Sequence, residues 1–166
     1  DVNIPEFALA VGDIEFTNET WNEGKATVTA KNNSENKMQY QVINASTQIN
    51  TSNWVTVEGK EKQIPNLNNG DIIIARLYDG TNATGYATYN VNDKTKPNIV
   101  SVTKTPEAWT NNEVVVTVNA VDNESGIAGE AYSFDGGNNW QEQNTKTYLE
   151  NTSGIVIKVK DQAGNI

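Results

Sequence analysis

Apolar and polar positions alternate along much of this chain. Val114, Val116 and Val118 are interleaved with Val115, Thr117 and Asn119, and Ile155, Ile157 and Val159 with Val156, Lys158 and Lys160. A period of two predicts strands with one face in a core and one in water. The first half predicts strands in the same way over Lys25–Ala30, Ile73–Tyr78 and Gly85–Val91. Turn signals separate these runs: Asn69-Gly70, Asp79-Gly80, Asn123-Glu124-Ser125-Gly126 and Asp135-Gly136-Gly137. No stretch carries the period of an amphipathic helix. Short strands at close, regular spacing predict an all-β sandwich fold.

The pattern repeats. Trp21 precedes the Lys25–Ala30 run by four residues, and Trp109 precedes the Glu113–Val118 run by the same interval. A second tryptophan follows in each copy, Trp54 and Trp140. Each copy then has an Ile-rich run ending on Asp, at Asp79 and Asp161, before a Gly-bearing turn. A polar segment ending in a proline, Asn92-Asp93-Lys94-Thr95-Lys96-Pro97, divides the copies. The expected domains are therefore residues 1–92 and 93–166, each large enough for a single small core. The first copy continues into Gly85–Val91 as a last strand, whereas the second reaches Ile166 just after the corresponding turn. The second domain is expected to lack its last strand and to carry an incomplete sheet, or an edge completed by a neighbour.

Composition narrows the chemistry. Twelve basic residues stand against 21 acidic ones, a net charge of −9. That balance argues against nucleic acid, which needs clustered cations, and against anionic membrane surfaces. Without Cys there is no disulfide, thiolate nucleophile or Cys-ligated zinc, and without His the commonest general base is missing. No apolar run approaches the length of a membrane span. The start at Asp1 reads as that of an excised fragment.

The second copy runs in the order Asp93–Pro97, Trp109-Thr110-Asn111, Val114–Val118 and Asp122–Ile127, followed by Tyr132–Trp140 and Val159–Asn165. In that order and spacing residues 93–166 resemble the bacterial immunoglobulin-like repeats that occur in tandem in Gram-positive surface proteins, adhesins and secreted glycan-active enzymes. Residues 1–92 are a more divergent cousin. They lack the Asp-Gly-Gly turn, and a longer segment separates Tyr40 from Trp54 than separates Tyr132 from Trp140. The resemblance implies two tandem immunoglobulin-like β-sandwich domains, extracellular and either secreted or attached to a cell wall. It implies spacers or recognition modules, with neighbouring domains, glycan or a host surface protein as partners.

The candidate sites are few. In an immunoglobulin-like sandwich, the loops after the second and sixth strands lie at the end where the chain enters. Asp122, Glu124 and Asp161 are thereby expected near Asp93, a set of hard oxygen ligands suited to calcium. The competing reading is turn chemistry, in which Asp and Asn cap their own backbone, and no contiguous calcium-loop motif is present. No other cofactor is expected. The four tryptophans are expected to pack structurally, because their positions recur in both copies. Trp54 is the expected exception, and with Tyr40 it makes the extended segment the candidate ligand surface. Lys25 and Lys158 are candidates for a Lys–Asn crosslink, although no spacing selects a pair. The sequons at Asn18, Asn44, Asn82 and Asn151 are expected by chance in so Asn- and Thr-rich a chain. No catalytic residue is expected: the acidic residues fall mainly in turns, and small sandwiches offer no deep cleft. The preferred expectation is a non-catalytic stalk or spacer. The alternatives are an adhesin or carbohydrate-binding module, and accessory domains of a secreted carbohydrate-active enzyme.

Overall fold

The computed structural model describes residues 11–166. Residues 1–10, which open the first expected domain, lie outside the described residues. The described chain is all-β, with a single 3-10 turn at Val11–Asp13. It forms two compact units: Lys25–Asn92, with the described residues up to Trp21, make the first, and Asp93–Ile166, with the short segment Asn22–Gly24, make the second. No helix among the described residues is long and apolar enough to cross a membrane.

In unit 1, β1 (Ile14–Asn22), β2 (Lys25–Asn32) and β5 (Glu61–Leu67) make one antiparallel sheet in the order β1-β2-β5. β3 (Lys37–Ile43), β4 (Val55–Thr56), β6 (Ile72–Tyr78) and β7 (Ala87–Asn90) make the other, in the order β4-β3-β6-β7. The core lies between them. Val28, Ala30 and Ile64 come from the first sheet, and Met38, Ile73, Ala75 and Leu77 from the second. These core positions alternate along β2 and β6, because successive strand side chains point to opposite faces. Full burial of one such Leu or Ile stabilises the fold by about 1.5–3 kcal/mol.

Unit 2 has β8 (Asn98–Thr105), β9 (Val114–Val121), β10 (Ile127–Ser133), β11 (Thr145–Tyr148) and β12 (Lys158–Asp161). One sheet runs β11-β9-β8, and the other holds only β10 and β12. Val116, Val118, Ala131, Phe134 and Val159 form its core, drawn from both sheets. With only two strands closing one side, Tyr148, Ile155 and Ile157 pack against that core but stay partly covered. The alternation from Ile155 onward holds in burial, yet the strand proper begins at Lys158, after an isolated bridge from Val156 to Asp135.

Candidate functional site

The end of unit 2 where its chain begins gathers the acidic turns. Asp122 follows β9, Asp161 closes β12, and Asp93 opens the unit. A carboxylate oxygen from each of the three lies within 4.8 Å of the others, and Asp93 and Asp161 are only 2% and 1% exposed. Glu124, the fourth sequence candidate, turns toward Thr95, whose hydroxyl donates to Glu124 Oε1 at 2.7 Å.

Local backbone explains the gathering. Asp122 Oδ1 accepts the amides of Glu124 (3.1 Å) and Gly126 (2.8 Å), which closes the turn on itself. Gly126 has φ +86, a left-handed conformation that a side chain would strain. Asp93 accepts the amides of Thr95 (2.8 Å) and Ser125 (3.0 Å). Asp161 accepts the amide and side-chain Nδ2 of Asn165, both at 2.8 Å. The same Nδ2 reaches the carbonyls of Asp93 (3.2 Å) and Thr95 (3.1 Å). Asn165 therefore ties the segment that opens unit 2 to the turn after β12. The sequence named Asn165 only as part of a Gly-bearing turn, and passed over the roles of Thr95 and Ser125.

The electrostatics follow. Burial pushes the Asp93 carboxyl up, but hydrogen bonds from Ser125, Glu124 and Thr95 outweigh it and leave it below its ordinary value. Burial raises Glu124; the Thr95 hydroxyl opposes this, while Asp93 and Asp122 push it further up. The three aspartates have the oxygen chemistry and spacing that one calcium ion accepts. Five of their six carboxylate oxygens also accept backbone or amide donors, which is what turn capping requires.

The Tyr40–Trp54 segment of unit 1 divides between two faces. Tyr40 packs against the core, and burial raises its hydroxyl. Trp54 lies on the other face, where Arg76 stands 4.0 Å from its ring centroid and Tyr86 stacks at 5.6 Å with planes 25° apart. Gln41 pins the intervening segment to the sheet, donating to the Asn50 carbonyl (2.7 Å) and accepting its amide (3.0 Å). Arg76 and Tyr86 were not anticipated from sequence, because only the register of β3, β6 and β7 brings them to Trp54.

The other tryptophans differ among themselves. Trp21 packs against the unit 1 core and donates to Glu19 Oε1 at 2.9 Å, while Tyr89 donates to Glu19 Oε2 at 2.6 Å. Burial and Glu19 push the Tyr89 hydroxyl up to about 12. Trp140 is half-buried beneath Lys160, whose Nζ lies 4.5 Å from its ring centroid. Trp109, the positional counterpart of Trp21, corrects the expectation of structural packing, for it is 98% exposed. It sits in the connection between β8 and β9, outside any strand. With Val114, Tyr148, Leu149 and Ile155 it borders an open depression of about 560 Å³, whose one lining carboxylate belongs to Glu150.

Lys25 meets Asn68 Oδ1, and the Asn68 amide groups in turn donate to Asp71 Oδ2. A crosslink would need a neutral, desolvated amine. Lys25 and Asn68 are both exposed, as is Lys158, so the contact is a solvated hydrogen bond. Asp135 is held below its ordinary value by Asn139, Ser133 and Asn138, which is turn chemistry again.

A scan against protein-family models finds no match for this chain, and a sequence search of curated proteins finds none either.

Proposed function

We propose that this chain is a non-catalytic pair of immunoglobulin-like β-sandwich modules that serves as a stalk or spacer in an extracellular bacterial protein. The observation that supports this most is the tethering of the segment that follows the boundary. Asp93 is buried, Thr95 and Ser125 donate to its carboxylate, and Asn165 grips the carbonyls of Asp93 and Thr95. Tension that reaches residue 93 is thereby passed into packed structure instead of drawing out slack chain. A spacer needs this property, whereas a flexible Gly/Ser linker lacks it. Antiparallel ladders such as β8–β9, which pair over Asn98–Thr105, then carry the load in parallel. The bacterial, secreted or wall-attached setting rests on the resemblance of residues 93–166 to surface-protein repeats. Pulling the whole chain by its two ends tests the reading: a spacer unfolds in discrete, cooperative steps, one for each unit.

A second reading, recognition of a glycan, is favoured by the Trp54–Arg76–Tyr86 stack on unit 1. It is compatible with a spacer, because the stack belongs to unit 1 and the residues that tether Asp93 belong to unit 2.

A further inference from the structure

Arg76 is the only arginine in the sequence; the other eleven basic residues are lysines. It sits on β6 with its side chain on the face opposite Ile73, Ala75 and Leu77, which fill the core. Register places Gln39 and then Thr56 beside it across β3 and β4. Tyr86 immediately precedes Ala87, the partner of Ala75, so it flanks Arg76 on the other side. The row is hydrogen-bonded. Gln39 Nε2 donates to Thr56 Oγ1 at 3.1 Å, and Arg76 Nε donates to Gln39 Oε1 at 3.0 Å.

Two consequences follow. Gln39 is buried and held at both ends of its amide, so it fixes the plane of the guanidinium. The guanidinium carbon lies over the Trp54 ring, 4.0 Å from its centroid. The Nε contact is the one side-chain hydrogen bond of Arg76 among the described residues, and no carboxylate among them pairs with it. Its two terminal nitrogens remain as a fork, the geometry that matches a carboxylate in bidentate fashion. The ring of Tyr86, 46% exposed, stacks on the same Trp54. An exposed aromatic face takes the apolar face of a pyranose ring. Unit 1 thus pairs a stacking surface with a preoriented anion fork in a chain of net charge −9, where attraction of an anion has to be local.

We propose that Arg76, Tyr86 and Trp54 form a binding site for a sugar that carries a carboxylate. The ring stacks on Tyr86, the carboxylate sits in the Arg76 fork, and the Thr56 hydroxyl is within the same row to meet a sugar hydroxyl. Gln39 is a positioning residue that acts through Arg76. Lysine cannot substitute for Arg76, since a point charge on a flexible stem supplies neither the fork nor the stack. The site stands on unit 1 alone and does not depend on the spacer reading.

The test is an NMR titration of the whole chain with a trigalacturonate and with a sialyllactose, the two arms that separate a uronic acid from a nonulosonic acid. The methyl-esterified trigalacturonate and lactose serve as neutral counterparts. The expected result is saturable movement of the Trp54 indole and Arg76 Nε–H signals with at least one acidic probe at concentrations up to about 10 mM. The neutral counterpart is expected to bind at least about tenfold more weakly. Arg76→Lys and Tyr86→Ala are each expected to weaken binding at least about tenfold, with the amide spectrum of unit 2 unchanged. If Arg76→Lys disturbs the spectrum of unit 1, Tyr86→Ala alone decides, since its ring is half exposed. Absence of saturable shifts with both acidic probes, equal binding of acidic and neutral probes, or undiminished binding by a folded variant overturns the proposal.

Discussion

Replacing Asn165 with alanine removes one side-chain amide from unit 2 and leaves the charge unchanged. The amide donates to Asp161 Oδ2 at 2.8 Å, and its hydrogens are shared between the carbonyls of Asp93 and Thr95 at 3.2 and 3.1 Å. Asp161 and Asp93 are almost wholly buried, so water cannot readily replace the lost donor at either. A hydrogen bond to a charged group contributes about 1.5–3 kcal/mol, and a shared bond to a neutral carbonyl about 0.5–1.5 kcal/mol. Thr95 is exposed, so its carbonyl regains a water and adds little. The expected loss for Asn165→Ala is therefore about 2–4.5 kcal/mol, confined to unit 2. For a domain of this size that corresponds to a fall in melting temperature of roughly 10 °C or more. Urea unfolding of the whole chain followed by hydrogen exchange measures it, with peptides from residues 25–92 as the internal control. The Thr95 and Ser125 amides, which donate to Asp93, are expected to lose protection early. A loss below about 0.5 kcal/mol, or an equal loss in both units, refutes the claim that Asn165 ties the opening segment in place.

Three further outcomes are expected. Asp93 lies below its ordinary 3.8, so its contribution to stability is present above pH 3.8 and lost as pH falls through its lowered folded value. Glu124 lies above its ordinary 4.5, so its contribution is full below pH 4.5 and lost as pH rises through its raised folded value. Glu124→Gln is expected to flatten the decline above pH 4.5 while sparing the acid limb. Urea midpoints of unit 2 between about pH 2 and 7 check this, and an unchanged decline counts against it. Because the aspartate oxygens already cap backbone amides, the melting midpoint is expected to be the same in calcium and in chelator. An upward shift in calcium that chelator reverses assigns the cluster to a bound ion instead. The intact mass is expected to equal that of the uncrosslinked chain, since Lys25 is exposed, and loss of one ammonia would contradict that.

The all-β architecture was legible because side-chain alternation is a local property. Val116, Val118 and Val159 are buried where the period of two puts them. The grouping of Asp93, Asp122 and Asp161 follows from loop order along a sandwich, which the sequence carries as strand count. Glu124 stays beside that group, hydrogen-bonded to Asp93, but the Thr95 hydroxyl also holds it and it falls outside the close set of three, which the sequence could not show. The Arg76 row was not legible at all. Residues 39, 56, 76 and 86 meet only through strand register, and register is fixed by which face the core claims. Trp109 misled for a related reason: its equivalence to Trp21 held in spacing, but Trp21 is kept by Glu19 and the unit 1 core. The loop that holds Trp109 has no such partner among the described residues.

The spacer reading meets its most direct test in single-molecule pulling on the whole chain, tethered at its two ends. Two separate cooperative unfolding events are predicted, releasing at most about 33 nm for unit 1 and about 27 nm for unit 2 at full extension. Little extension is predicted before the first event, and Asn165→Ala is predicted to lower the force of the shorter step alone. A single gradual extension without discrete steps, or a long slack release before the first step, would contradict a load-bearing role for this chain.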